Sequence, residues 1–357
     1  MTAFAKKPRS LLFNIAENDS SMKDLLISTS LKGDMQFWNA ATRSMIANKG
    51  PEHFYKNGWI EELCWITPTT LALCMGRSKP EANVESSVLL THIKEVKRDD
   101  VDIRVQAFNE NPHVKEMLDI APVQLGQTGS VGVERASFVT GGSDHLVCLW
   151  DMIRDSPQED FALTDVNKLN INHTNSVQAL CYDSYNDRLY TGGADSKLFT
   201  YDMVSQKTIN ELRIGNRINH IEKNPKDPNL SLISQAQTSD QFAIYDQRML
   251  GVCGLQLSFG FSESENLSRY IKPDWHQDGY IVVCGSQSES KVHFWDIRYS
   301  GVQRGPCFSL PTQGTAPSRI LQTLFLPNRN TLLSVSSTRT MTWTDFSVQA
   351  NSKISTI

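Results

Sequence analysis

His173 and Asp195 are the two residues of this chain whose types most suggest chemistry. An aspartate that orients a histidine forms part of a hydrolytic triad, in which the imidazole takes a proton from a nucleophile. The chain contains no GxSxG, HExxH or GxxxxGK[ST] motif and no GxGxxG after a strand. A buried His–Asp pair that satisfies its own polar atoms is the commoner arrangement. We therefore expect a structural pair and a protein that is not an enzyme.

The elements that must position such residues repeat along the chain. Each copy has alternating apolar residues, then an aromatic or small residue, then Asp. The copies are LVCLWDM (Leu146–Met152), LFTYDM (Leu198–Met203), FAIYDQ (Phe242–Gln247), VHFWDI (Val292–Ile297) and MTWTDF (Met341–Phe346). The spacings between their aspartates are 51, 44, 50 and 49 residues. MQFWN at Met35–Asn39 and VLLTH at Val88–His92 are weaker copies, so we predict seven repeats.

Three longer motifs resemble the WD-repeat family. They are FVTGGSDHLVCLWD (Phe138–Asp151), LYTGGADSKLFTYD (Leu189–Asp202) and IVVCGSQSESKVHFWD (Ile281–Asp296). The resemblance covers essentially the whole chain and implies an all-β, seven-bladed β-propeller with four strands in each blade around a central channel. The residue pattern agrees, because period-two alternation indicates strands and Gly-Gly or Ser-Asp indicates tight turns.

The domain organisation follows from the same repeat. We expect a single β-propeller domain over residues 1–357, because a propeller grows by adding blades rather than by enlarging one core. Blade 3 has more sequence than a hairpin needs, and we interpret residues 109–132 as a surface insertion. Two closures of the ring are possible. The tail at 347–357 supplies the last outer strand, or the first few residues pair with the last blade.

The resemblance also implies a buried hydrogen-bond network in blade 4. In the family, a His, a Ser or Thr, an Asp and a Trp form this network. The matching residues here are His173, Thr191, Asp195 and Tyr201. Because Tyr replaces Trp, the network is expected to be broken or altered at its last member.

Arginines recur just before the first strand of several blades, at the end that the family places at the top of the channel. These are Arg9, Arg217, Arg269 and Arg319, and Trp59 takes the same position in blade 2. Guanidinium groups bind carboxylates and phosphates in a bidentate manner, so the five residues form a candidate partner-binding ring. The alternative is that they are solvated strand ends.

Arg248 and Arg298 follow the Tyr-Asp and Trp-Asp boxes of blades 5 and 6, at the opposite, bottom face. Such WDxR-like boxes resemble those of WD-repeat substrate receptors, which dock on the adaptor of cullin ubiquitin ligases through the arginine. The alternative is that each arginine only pairs with the aspartate of its own turn.

Composition restricts the remaining classes of function. The net charge is −4, which disfavours polyanion binding driven by overall charge. The seven cysteines form no CxxC pair and no cluster with His, so we expect no metal, no disulfide and no cofactor. The sequence predicts no membrane span or signal peptide and a cytoplasmic or nuclear location.

We therefore expect a non-catalytic scaffold, a subunit of a larger intracellular complex, that binds other protein subunits. Its predicted ligand is an acidic or phosphorylated partner segment at the top channel mouth. One alternative is a substrate receptor that binds a cullin-ligase adaptor. The other is a propeller that binds histone or nucleic acid.

Overall fold

The computed structural model describes residues 2–14, 22–54, 58–77, 88–108, 110–128, 133–237, 239–249, 254–261, 266–312 and 318–346. Within this part of the chain, seven four-stranded antiparallel sheets follow one another around a ring. The predicted all-β, seven-bladed β-propeller is therefore confirmed. Among the same residues, no helix has the length and apolar character needed to span a membrane.

In each blade, the first strand in the order below lies innermost, beside the channel, and the last lies outermost. Blade 1 has β2 (Pro8–Phe13), β3 (Leu25–Ser30), β4 (Met35–Asn39) and β5 (Ser44–Lys49), and blade 2 has β6 (Gly58–Thr67), β7 (Thr70–Arg77), β8 (Val88–Val96) and β9 (Val101–Ala107). Blade 3 has β10 (Met117–Thr128), β11 (Glu134–Gly142), β12 (Val147–Arg154) and β13 (Ala162–Lys168), and blade 4 has β14 (Val177–Asp183), β15 (Arg188–Gly193), β16 (Lys197–Asp202) and β17 (Lys207–Arg213). Blade 5 has β18 (Ile218–Lys223), β19 (Leu230–Gln235), β20 (Phe242–Asp246) and β21 (Leu255–Phe259), and blade 6 has β22 (Asp274–Trp275), β23 (Ile281–Gly285), β24 (Lys291–Asp296) and β25 (Phe308–Pro311). Blade 7 has β26 (Ile320–Phe325), β27 (Thr331–Ser336), β28 (Thr340–Asp345) and β1 (Thr2–Ala3).

The antiparallel order gives the ring two distinct faces. The turns between the second and third strands, and the connections between blades, lie at one end, which we call the top face. The turns after the first and third strands lie at the other end, the bottom face. Every blade repeats this polarity, so equivalent residues of different blades lie on the same face.

The ring is closed by the N-terminal residues. Strand β1 pairs with β28, with Thr2 opposite Met341 and Ala3 opposite Thr340. The Phe4 N–H then donates to the Arg339 carbonyl at 2.8 Å. Of the two closures considered, the structure therefore has the one that uses the first few residues. The tail at 347–357 lies outside the described residues.

Part of the segment interpreted as a surface insertion, residues 109–132, is a strand of blade 3; residues 109 and 129–132 lie outside the described part of the chain. Met117–Thr128 form β10, which pairs with β11 from Met117 opposite Gly142 to Thr128 opposite Glu134. Three register shifts along this long hairpin absorb the additional residues. Met117 and Ile120 are buried, which explains why the segment is a strand of the blade.

Adjacent blades pack face to face through large buried side chains. Trp150 is fully buried between blades 2 and 3, and Trp295 is fully buried with Phe242 between blades 5 and 6, their ring centroids 5.1 Å apart. Burial of each such side chain contributes on the order of 1.5–3 kcal/mol. The inner strands are therefore held in a fixed relation, and so are the residues at their ends.

Candidate partner-binding sites

The network predicted for blade 4 surrounds the ring of His173. Its Nε2 lies 2.8 Å from Thr191 Oγ1, and its Nδ1 lies 3.2 Å from each oxygen of Asp195. Asp195 also accepts a hydrogen bond from the Thr174 N–H at 2.8 Å. Burial acts to raise the pKa of Asp195, but the Thr174 N–H and His173 outweigh it and lower that pKa below its ordinary value. The ionised carboxylate therefore orders the connection into the blade.

Thr191, His173 and Asp195 are connected like a hydrolytic triad, but they are enclosed in the blade. Thr191 is 0 % exposed, and so is the side chain of His173. Burial also lowers the pKa of His173, although Asp195 acts to raise it. A substrate carbonyl could reach the hydroxyl only if the blade opened. We therefore assign these three residues to the architecture of blade 4.

The glycines of the motif leave space for the side chains of this network. A Cβ atom at Gly193 would lie 2.5 Å from His173 Nδ1 and 2.3 Å from an oxygen of Asp195. Only a residue without a side chain allows the imidazole to approach the backbone this closely.

Blade 3 contains a complete network that the sequence did not reveal. His113 Nε2 lies 2.8 Å from Thr140 Oγ1, and His113 Nδ1 lies 2.9 Å from Asp144. Trp150 Nε1 donates to Thr140 Oγ1 at 2.9 Å. His113 precedes its threonine by 27 residues, whereas His173 precedes Thr191 by 18. The long β10–β11 hairpin separates the motif residues, so only a search without fixed spacing upstream of TGGSD would have found His113.

Tyr201 takes the place of the tryptophan in blade 4. It lies opposite Leu189, as Trp150 lies opposite Phe138 in blade 3. Tyr201 is buried, but among the described residues no hydrogen bond joins it to Thr191. Blade 4 therefore has a network of three members and blade 3 a network of four.

At the top face, three of the five predicted ring residues meet at one carboxylate. Arg9 Nη2 donates to Glu61 Oε2 at 2.7 Å, and Trp59 Nε1 donates to the same oxygen at 2.6 Å. Arg269 donates to Glu61 Oε1. The centre of the Tyr270 ring lies 3.7 Å from the Arg9 guanidinium group and 4.6 Å from that of Arg269. These arginines are thus already paired with an acidic side chain.

Further charged residues line the channel next to this point. We call the six charged residues among those that line it the channel cluster; they are Arg9, Glu61, Glu62, Asp119, Arg269 and Lys272. Lys272 pairs with Glu62, and Asp119 accepts a hydrogen bond from the Leu180 N–H at 2.7 Å. Three acids thus face three bases around a cavity of about 20 Å³, enough for roughly one water molecule. The channel mouth is a balanced cluster rather than an open positive ring.

Beside the channel, blades 1, 6 and 7 enclose a larger cavity of about 460 Å³, which we call the rim groove. Its cationic side chains are Lys7, Arg9 and Arg319, and no acidic residue of the described part of the chain lines it. Leu31 and Leu321 supply apolar wall. Lys7 and Arg319 are exposed, and neither forms an ion pair within the described ranges. The volume is in the range of ordinary ligand pockets.

Arg217 lies apart from both of these sites. It is exposed at the top end of blade 5, and neither the channel cluster nor the rim groove includes it. The predicted ring is therefore divided: Arg9, Trp59 and Arg269 contact Glu61, Arg9 and Arg319 line the rim groove, and Arg217 belongs to neither site.

At the bottom face, each predicted arginine forms a fork with the aspartate of its own turn. Arg248 donates to Asp246 at 2.9 and 2.6 Å, and Arg298 donates to Asp296 at the same two distances. The arginine lowers the pKa of the aspartate in each fork. The side chains of Arg248 and Arg298 remain 63 % and 53 % exposed. This is the geometry of the simple within-turn pairing.

Comparison with known families agrees with the architecture. The family model described as WD domain, G-beta repeat matches residues 166–202. This match contains the first three strands of blade 4, the blade with the most regular motif. No curated protein matches the chain.

Proposed function

We propose, from the premise that this chain is a WD-repeat β-propeller, that it is a non-catalytic interaction scaffold in a larger intracellular complex of the cytoplasm or nucleus. A WD-repeat propeller is in general a scaffold for protein interaction. The ligand that we propose is an acidic or phosphorylated segment of a partner protein, bound at the top face.

The rim groove carries this proposal. Here, at the top face, cations line a cavity of about 460 Å³ with no acid among its described lining residues. Lys7 and Arg319 can bind an anion without first breaking an ion pair. The Arg319 guanidinium can hold a carboxylate or phosphate in a bidentate manner, and Leu31 and Leu321 favour a neighbouring apolar residue of the segment.

The channel cluster supports the same choice by contrast. A ligand anion that took Arg9 or Arg269 would leave Glu61, whose side chain is 5 % exposed, without its partners. Removing one partner of a buried pair costs about 3–5 kcal/mol. We therefore propose that the rim groove, rather than the channel mouth, binds this acidic or phosphorylated segment.

The two alternatives have less support. A cullin-ligase receptor would use Arg248 and Arg298, which are engaged with their own aspartates. A nucleic-acid ligand needs a row of cations along its backbone, whereas the rim groove has three cationic side chains on a chain of net charge −4.

Degenerate decapeptide pools with a fixed central residue test the proposal. One pool has phosphoserine at the centre, one has Glu and one has Lys. We expect the protein to retain the phosphoserine and Glu pools over the Lys pool, and to lose this preference as salt rises, because exposed charges are screened.

The matched variants separate the two faces. Lys7→Glu combined with Arg319→Glu should remove the preference for anionic pools, whereas Arg248→Ala combined with Arg298→Ala should keep it. Loss of the preference in the bottom-face variant alone would contradict the rim groove and favour the ligase-receptor alternative.

A further inference from the structure

Three exposed cations surround the rim groove without being among its lining residues. Lys32 lies in the turn between β3 and β4 of blade 1, and Arg339 lies in the turn between β27 and β28 of blade 7. Lys6 lies in the connection from β1 to β2. All three positions are at the top face, and we call these residues the flanking cations.

The connection from β1 to β2 crosses the top face from blade 7 to blade 1, and hydrogen bonds attach it to both turns. The Phe4 N–H donates to the Arg339 carbonyl at 2.8 Å, and Arg339 Nη1 donates to the Ala5 carbonyl at 3.2 Å. At the other end, the Leu31 N–H donates to the Lys7 carbonyl at 2.9 Å. The backbone that carries the flanking cations is therefore one hydrogen-bonded surface.

The flanking cations lie on both sides of the rim groove. Lys7 and Leu31, which line the groove, are the chain neighbours of Lys6 and Lys32. The third flanking cation follows Ser337, another lining residue, by two positions in the turn of blade 7. A segment that enters the groove therefore has a cation beside it towards blade 1 and another towards blade 7.

Acidic side chains do not neutralise this surface. Among the described residues, none of the flanking cations forms an ion pair. Asp34, in the same turn of blade 1, is only 1 % exposed. Glu52 lies on the side of blade 2, 3.4 Å from His53 Nδ1, and Glu289 in the top turn of blade 6 pairs with Lys291 at 2.7 Å. The positive charge is thus exposed and bounded by acids that have other partners.

The number of negative charges on a ligand decides how many of these cations it uses. A single anionic residue in the groove contacts Lys7 and Arg319 and leaves the flanking cations in solvent. Exposed ion pairs are individually weak, but the fields of neighbouring like charges add. Leu31 and Leu321 in the groove wall fit a side chain of a protein segment better than a nucleic-acid backbone. The surface therefore suits a protein segment with several adjacent negative charges.

We propose that the partner segment is acidic on both sides of the residue that the groove binds. The central residue, phosphorylated or acidic, contacts Lys7 and Arg319, and the acidic residues around it contact Lys6, Lys32 and Arg339. This specificity rests on the function proposed above, to which it adds the sequence around the central residue.

Two decapeptide pools test the specificity. Both have phosphoserine at the centre; one has Glu at the two positions on each side, and the other has Ala at these four positions. We expect the Glu-flanked pool to bind about tenfold more tightly near physiological salt, because three additional exposed pairs form. This advantage should fall as salt rises, since exposed pairs are screened.

Neutralisation of the flanking cations should reduce the advantage to less than about twofold. The variant combines Lys6→Gln, Lys32→Gln and Arg339→Gln. The matched control removes three exposed cations at the top ends of blades 3 and 4, by Lys115→Gln, Lys168→Gln and Arg213→Gln, and should retain the advantage. Lys6→Gln with Lys32→Gln alone keeps the Arg339 contact with Ala5 and should lose part of the advantage, so the test does not depend on the triple variant's folding.

The possible failures are distinguishable. Equal binding of the two pools, or equal loss of the advantage in the triple variant and its control, would overturn the flanking specificity and leave the proposed function intact. Failure of both pools to bind would contradict the proposed function and the specificity with it. Tighter binding of a short oligothymidine than of the Glu-flanked pool would assign the flanking cations to nucleic acid and also overturn the proposal.

Discussion

The channel cluster and the rim groove are neighbouring sites that both contain arginines, but these arginines have different roles in the two sites. Arg269 and Arg319 both precede the first strand of a blade, yet Arg269 pairs with Glu61 and Arg319 faces an open cavity. The difference arises because β6 directs two successive carboxylates, those of Glu61 and Glu62, to the channel. A charge near the axis is therefore part of the architecture, whereas a charge at the rim remains free for a ligand.

Among the changes that test this contrast, removal of the Glu61 carboxylate, which Arg9 and Arg269 share, should have the largest effect on stability. Glu61→Ala leaves the Arg9 and Arg269 side chains, 11 % and 20 % exposed, without their acceptor. We expect a loss of about 3 kcal/mol in the free energy of unfolding, measured by urea denaturation. The exposed pair of Glu95 with Lys97 provides the control, since Glu95→Ala should change it by less than about 0.5 kcal/mol. Equal small effects would mean that the channel cluster is not structural.

The next largest effect that we expect is on the pH dependence of the free energy of unfolding. Burial raises the pKa of Asp119 to about 7, against the attraction of Lys272. Its pKa in the folded state thus exceeds its unfolded value, so this group favours folding below about pH 4, and that contribution is lost as pH rises to about 7.

Asp119→Asn should therefore make stability fall less between pH 4 and 7 than it does in the original chain. Denaturation curves at several pH values check this difference. An identical pH profile for both proteins would show that Asp119 titrates normally.

The two buried networks should respond more moderately. Asp195→Ala in blade 4 and Asp144→Ala in blade 3 each leave a buried histidine without its acceptor, and each should cost about 1–3 kcal/mol. Thermal unfolding measures both. A variant of normal stability in either blade would contradict the structural role, and for Asp195 it would revive the catalytic interpretation.

Reversal of the rim charges should have the smallest effect on stability. Lys7→Glu combined with Arg319→Glu alters exposed side chains, so the free energy of unfolding should stay within about 0.5 kcal/mol. The same reversal at Arg9 and Arg269 should prevent normal folding. If melting curves of the two double variants coincide, the distinction between channel and rim is wrong.

The residue pattern alone was enough for the architecture, because a repeat of about 50 residues with one aspartate per copy implies blades of similar size. The sequence could also predict the buried network of His173, Thr191 and Asp195, because these residues occupy constant positions within one repeat. It could not predict the role of His113, because the β10–β11 hairpin changes the distance of His113 from the motif.

The sequence could not determine which charged side chains pair across the ring. Arg9, Glu61 and Arg269 belong to blades 1, 2 and 6, and their contact depends on how seven blades close. The rim groove depends on the same closure, since Lys7 and Arg319 come from opposite ends of the chain. Local periodicity specifies each blade through backbone pairing and the alternation of side chains. Only the closed ring decides which arginines are neutralised, because electrostatic pairing depends on distance in space rather than on position in the sequence.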